Sequence, residues 1–198
     1  PEYGSSPETA LDEKAGIALW HFITGSKAAP SSHWMLLESG HSYDEMGFLV
    51  KRGTQGESEM HPVLITAYGE GDRPLIVNAQ NWNTPDNHNI VIKGIAFDSG
   101  LQIHQGSNYL LEDLSFKHKG FTVQITDGVT LRNSSIIDVF RTESVSEDIW
   151  SPHINRISGV FANDVDSLLI EGLFVDHTGW ADDYLANLSL EGGQPPSI

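Results

Sequence analysis

The stretch Ile90-Val91-Ile92-Lys93-Gly94-Ile95-Ala96-Phe97 has three later counterparts in the chain. They are Tyr109-Leu110-Leu111-Glu112-Asp113-Leu114-Ser115-Phe116, Val129-Thr130-Leu131-Arg132-Asn133-Ser134-Ser135-Ile136 and Leu168-Leu169-Ile170-Glu171-Gly172-Leu173-Phe174-Val175. Their starts are separated by 19, 20 and 39 residues. Apolar and polar residues alternate through the first part of each, as in a half-buried strand. A second strand recurs between them: Leu101-Gln102-Ile103-His104, Phe121-Thr122-Val123-Gln124 and Val160-Phe161-Ala162-Asn163. Each follows a glycine, namely Gly100, Gly120 and Gly159. Only one such strand falls inside the 39-residue interval, so that interval reads as one repeat with an insertion from about Arg141 to Ile157. A fixed period of this kind marks a solenoid, in which each repeat buries its apolar face against the next.

Superposing the repeats aligns columns of side chains. Lys93, Glu112, Arg132 and Glu171 share one column and alternate in sign. Stacked strands would set them about 4.8 Å apart, where opposite charges attract and like charges repel. Gly94, Asp113, Asn133 and Gly172 fill the next column, all residues that tolerate left-handed backbone. Ile92, Leu111, Leu131 and Ile170 form an aliphatic stack suited to the interior. A doubly wound α/β fold would need a helix between successive strands, and the repeats leave no room for one. The expected architecture is therefore all-β, a right-handed parallel β-helix.

Two regions are expected. Residues 1–33 read as an N-terminal capping helix and loop, and residues 34–198 as β-helix coils, truncated at the C-terminal end. For the helix, Ser6 suits the N-cap, Pro7 the first helical position and Glu8 the positive helix end. Leu11, Ala15, Ala18, Leu19, Phe22 and Ile23 follow at helical spacing up to a stop at Gly25.

Bulk properties narrow the function classes. Asp and Glu number 27 against 11 Lys and Arg, a formal charge of −16. Such a field repels phosphate backbones and anionic lipid, which argues against nucleic acid as a partner. No apolar run reaches the eighteen or so residues of a spanning helix, so no membrane insertion is expected. With no cysteine, a disulfide framework and a thiolate metal site are both excluded.

Upstream of the repeats, Trp34-Met35-Leu36-Leu37-Glu38-Ser39-Gly40 and Phe48-Leu49-Val50-Lys51-Arg52-Gly53 resemble the entry strands of secreted β-helix proteins of the pectate-lyase-like superfamily. The run Pro62 to Ile76, with Tyr68-Gly69-Glu70-Gly71-Asp72-Arg73-Pro74, resembles the first full coil of that superfamily. Ser6-Pro7-Glu8-Thr9-Ala10 resembles the opening of its capping helix. The resemblance implies a secreted or cell-surface protein with further coils or copies as neighbours. It leaves activity open among polysaccharide lyases, hydrolases, epimerases and non-enzymatic tailspike-like proteins.

On this scaffold the strand after each glycine presents two outward columns: Gln102, Thr122 and Phe161, then His104, Gln124 and Asn163, extended by Asn78. Amides, imidazole and an aromatic ring suit sugar hydroxyls and a flat sugar face, and they also suit a plain solvated sheet. Lys117-His118-Lys119 enters the second of these strands and Arg141 opens the insertion. A lyase or epimerase acting on uronic acids needs positive charge against the substrate carboxylate and a base for the adjacent proton. His104, Lys117, Lys119 and Arg141 are the candidates for that chemistry. The expected function is binding or processing of an acidic polysaccharide, by β-elimination or epimerisation if enzymatic. The alternative is a structural or adhesive β-helix segment. The sequence assigns no definite cofactor; Ca²⁺ would suit the acidic loop Glu143 to Asp148 or Asp182-Asp183. His118 and His177, with Asp138 between them, form a further candidate column for a metal or an acid/base pair.

Overall fold

The computed structural model describes residues 6–44, 46–47, 49–77, 79, 82–83, 85–137 and 159–176. The chain is mostly β, with parallel sheets and one α-helix near the N-terminus. A 3-10 turn (Pro7–Thr9) precedes helix α1 (Glu13–Thr24). The strands begin with β1 (Trp34–Glu38), β2 (Ser42–Tyr43), β3 (Val63–Tyr68), β4 (Leu75–Ile76) and β5 (Trp82–Asn83). The repeats supply β6 (His88–Lys93), β7 (Ala96–Phe97), β8 (Leu101–His104), β9 (Ser107–Glu112) and β10 (Ser115–Lys117). They continue as β11 (Phe121–Arg132), β12 (Ser135–Ile137), β13 (Val160–Glu171) and β14 (Phe174–Val175).

These strands pair in parallel as three ladders. The first joins β5, β8 and the opening halves of β11 and β13. The second runs β1, β3, β6, β9 and the closing halves of β11 and β13. The third runs β2, β4, β7, β10, β12 and β14. Parallel neighbours cannot be joined by a tight hairpin; here the chain visits the other ladders before returning one layer on. The register agrees with the sequence superposition of the four repeats. Ile90 pairs with Tyr109, Tyr109 with Val129 and Val129 with Leu168. Because β11 pairs directly with β13, the 39-residue interval is a single repeat, with the loop from 141 to 157 outside the described residues.

One apolar core is shared by all three ladders. Leu101 and Ile103 face it from the first, Ile92, Leu111 and Leu131 from the second, and Phe97, Phe116 and Ile136 from the third. Ile170, the last of the aliphatic stack, is partly exposed instead. Phe116 stacks on Phe97 with centroids 5.5 Å apart, and on Phe121 at 6.3 Å. Ser134 takes a core position that Leu114 holds one repeat earlier. Its hydroxyl donates to the Arg132 carbonyl at 2.8 Å and accepts from the Leu114 amide at 3.1 Å, so its burial leaves no unpaired group.

The turns repeat as faithfully as the strands. Gly94, Asp113, Asn133 and Gly172 all adopt positive φ, at 69°, 56°, 50° and 59°. Arg73, from the turn after β3, crosses to this column and reaches the Asp113 carboxylate at 2.5 Å and its carbonyl at 3.2 Å. A second left-handed column holds Asn89, Asn108, Gly128 and Ser167, and a third holds Asp86, Gln105, Ile125 and Asp164. Ile125 is the misfit, a β-branched residue at φ 51° between the paired positions Gln124–Asn163 and Thr126–Val165.

The charged column forms its expected ion pairs. Glu112 lies 3.3 Å from the Lys93 ammonium and 3.2 Å from Arg132 Nε, and Arg132 is in register with Glu171. Burial raises the Glu112 carboxyl, but the hydrogen bonds and charges of Arg132 and Lys93 outweigh it and hold the group below the usual carboxylate range.

The N-terminal helix departs from its sequence reading. The cap of α1 is Asp12, whose carboxylate accepts from the Ala15 amide at 2.9 Å, while Ser6 closes the preceding 3-10 turn through its carbonyl. The buried face carries Trp20 and Thr24, with Ile17 and Ile23 packed beside them. Ala15, Ala18, Leu19 and Phe22 are exposed. The Trp20 indole explains the rotation, and the Thr24 hydroxyl is satisfied inside the helix. Trp20 Nε1 donates to the Leu49 carbonyl at 2.8 Å, and the Thr24 hydroxyl donates to the Trp20 carbonyl at 2.8 Å. Trp20, which helical spacing leaves out of the apolar stripe, thus ties the helix to the rest of the chain, and Thr24 can be buried beside it because its hydroxyl is satisfied within the helix.

Three outcomes are expected. Phe116→Ala removes the middle ring of the stack and should lower unfolding free energy by about 3–5 kcal/mol in urea titration. Ile125→Asn places a residue that tolerates left-handed backbone at a position 46% exposed, and should stabilise by about 1 kcal/mol; a loss of stability would show that Ile125 is not strained. Glu112→Gln should cost about 1 kcal/mol at neutral pH. Since the folded carboxyl titrates below the unfolded value of about 4.3, its contribution is complete above that pH and lost as pH falls through the folded value. Unfolding curves of the two proteins should therefore converge in acid, and a gap that persists there would rule out the ionic origin.

Candidate functional site

The first ladder places its outward residues as the repeat predicts. Thr122 is in register with Gln102 on one side and Phe161 on the other. Gln124 is likewise between His104 and Asn163. Alternation puts Leu101, Ile103, Phe121 and Val123 into the core and leaves Gln102, His104, Thr122 and Gln124 half-buried. Phe161 and Asn163 are exposed, Phe161 by 45%. The Gln102 amide donates across the ladder to the Gln124 side-chain oxygen at 3.4 Å, a diagonal contact between neighbouring strands. The position beside His104 on the other side belongs to Asn83 of β5, not to Asn78, which lies outside the described residues. The register of β5 against β8, which sequence periodicity does not reveal this far upstream, accounts for the change.

The glycine column fixes how the chain enters this face. A Cβ at Gly100 would strike the Gly120 carbonyl and the Lys119 side chain, so the entry to β8 packs against the entry to β11 more closely than any other residue at position 100 permits. Lys117 ends β10 and Lys119 directly precedes Gly120, both exposed. His118 between them has φ 65°, donates its amide to the Ile137 carbonyl at 3.2 Å and sets its imidazole 3.8 Å from the Asp98 carboxylate. Lys117 and Lys119 therefore sit at the end of β10 and in the turn that leads into β11, the strand that carries Thr122 and Gln124. Arg141, the fourth catalytic candidate, lies outside the described residues, as do Asp138 and His177 of the metal column, the acidic loop 143–148 and Asp182-Asp183.

Among the described residues no group of three or more His, Asp or Glu converges as metal ligands would. No described helix is long and apolar enough to cross a membrane. The second ladder supplies a feature that sequence reading passed over: the Asn108 amide donates to the Asn89 side-chain oxygen at 3.1 Å, linking two left-handed turns. Its signal was present, since these asparagines directly precede Ile90 and Tyr109 in the same repeat frame. Comparison with protein-family models, with curated proteins and with solved structures returns no match for the chain.

Proposed function

We propose that the chain is a right-handed parallel β-helix akin to the pectate-lyase-like superfamily, whose first ladder binds an acidic polysaccharide. Three parallel ladders around one core, visited in turn by the chain, support the architecture. Right-handedness follows the strong preference of parallel crossovers. The observation that carries the function is the register of the two outward columns beside the Lys117–Lys119 turn. Amides and imidazole repeat at the strand spacing of about 4.8 Å, close to the scale of a sugar ring. They offer donors and acceptors to hydroxyls, Phe161 offers a flat apolar face, and the lysines offer charge to carboxylates. The field of a protein with net charge −16 opposes such a ligand, so local cations are what make an anionic sugar tenable here.

In an enzymatic version, Lys117 and Lys119 (with Arg141) neutralise the uronate carboxylate, which acidifies the neighbouring C–H. His104 accepts that proton as general base. β-Elimination then breaks the glycosidic C–O bond and leaves an unsaturated product, while return of the proton to the other face gives epimerisation. A secreted or cell-surface setting fits such a substrate, and Ca²⁺ bridging of carboxylates is compatible with it.

Affinity electrophoresis through gels containing alginate, pectate or a glycosaminoglycan tests the binding face. Retardation by at least one acidic polymer is expected, with a loss of about tenfold in affinity for Gln102→Ala/Gln124→Ala combined, as for two lost hydrogen bonds of about 0.5–1 kcal/mol each. Migration unchanged in every polymer would overturn the proposal. Absorbance of the unsaturated product, followed on the same substrates, separates elimination from binding alone.

A further inference from the structure

A cavity of about 850 Å³ lies at the other end of the described chain, between the end of α1, the turn after it, His33 before β1 and the segment 50–52 that follows β2. Three of the eleven Lys and Arg residues, Lys27, Lys51 and Arg52, line it together with His21 and His33. Among the described residues no Asp or Glu lines it, although the chain carries 27 of them. Arg52 also contacts Asp86 at 3.4 Å, a pair exposed on both sides. The rest of the lining is chiefly apolar and includes Ile23, Val50 and Phe22. Phe22 is 81% exposed. A phenyl ring left in water on a helix that docks through Trp20 adds little to the fold.

The frame of the cavity is built. The Trp20–Leu49 hydrogen bond ties the helix to the segment that carries Val50, Lys51 and Arg52. Gly53, at φ 78°, lies so close to Ser26 that a Cβ there would come within 2.7 Å of the Ser26 Cα. That approach holds the Lys27 turn against the Lys51–Arg52 turn. His33 is anchored where its carbonyl accepts from the Leu64 amide at 3.0 Å, at the start of the second ladder. Lysine and arginine side chains from two separate segments, with His21 and His33 beside them, therefore line one apolar hollow, of the size that small-molecule sites commonly have.

We propose that this cleft binds a ring-bearing organic carboxylate, with Lys27, Lys51 and Arg52 around the anionic group and Phe22 against the ring. Cations close to an apolar wall attract an anion more strongly than cations in open solvent, and the ring replaces water on the exposed phenyl face. The site shares no residue with the polysaccharide face of the first ladder, so either can fail without the other.

The test uses phenylacetate and its neutral counterpart phenylacetamide, titrated into isotopically labelled full chain and read by amide chemical shifts. Saturable shifts confined to residues 21–28 and 50–53 are expected for phenylacetate, with phenylacetamide at least tenfold weaker. Each of Lys27→Gln and Lys51→Gln should weaken phenylacetate about three- to fivefold, in line with partly exposed ion pairs, and high salt should weaken it further. Phe22→Ser should weaken both probes. Equal affinity for acid and amide, absence of saturable shifts, or perturbations centred elsewhere would overturn the proposal on the unmodified protein. Unchanged affinity in the Lys27→Gln/Lys51→Gln double variant would overturn the charge assignment.

Discussion

Parallel strands stacked in register bring the same position of every repeat into contact with itself, about 4.8 Å apart. Almost everything else in the protein follows from that constraint. A like charge repeated in one column would repel its neighbours, and the Lys93–Glu112–Arg132 column avoids this by alternating sign. A corner that needs left-handed backbone in one layer needs it in all, which Gly94, Asp113, Asn133 and Gly172 satisfy. Buried aromatics one layer apart must stack, as Phe97 and Phe116 do. Where the constraint is met poorly, at Ile125, the backbone absorbs the cost.

The same constraint shapes the surface. Repetition turns isolated polar residues into rows, so Gln102, Thr122 and Phe161 form one line and His104, Gln124 and Asn163 another. A row matches a polymeric ligand better than a compact one, because both repeat. The Lys117–His118–Lys119 turn interrupts the row with charge at a single layer, and it is this break in periodicity that gives the proposed polysaccharide face a direction and a centre.

The N-terminal end obeys different physics. There a helix rather than a strand meets the core, and α1 docks through one polar anchor, the Trp20 indole on the Leu49 carbonyl, while the buried Thr24 hydroxyl is satisfied within the helix by the Trp20 carbonyl. Docking through Trp20 turns Phe22 toward solvent. It also leaves a hollow between helix and turns, and basic residues from three segments collect around it.

By itself, the sequence determined the ladders and their register. Repeats nineteen and twenty residues apart can bury their apolar faces only if equivalent positions coincide, and a one-residue slip would turn every side chain to the wrong face. The two outward columns were legible for the same reason, from Gln102 to Asn163. Features without a period were not. Helical spacing pointed to Leu19 and Phe22 as core, because it counts apolar residues and cannot see that an indole N–H will find a carbonyl 29 positions away. Asn83 beside His104 depended on the register of a short strand lying before the regular repeats. Arg73 on Asp113 depended on a turn reaching across space rather than along the chain. The basic cleft is the extreme case: Lys27, His33 and Lys51 become neighbours only through tertiary packing, since residues of unrelated segments have no spacing to announce that they will meet.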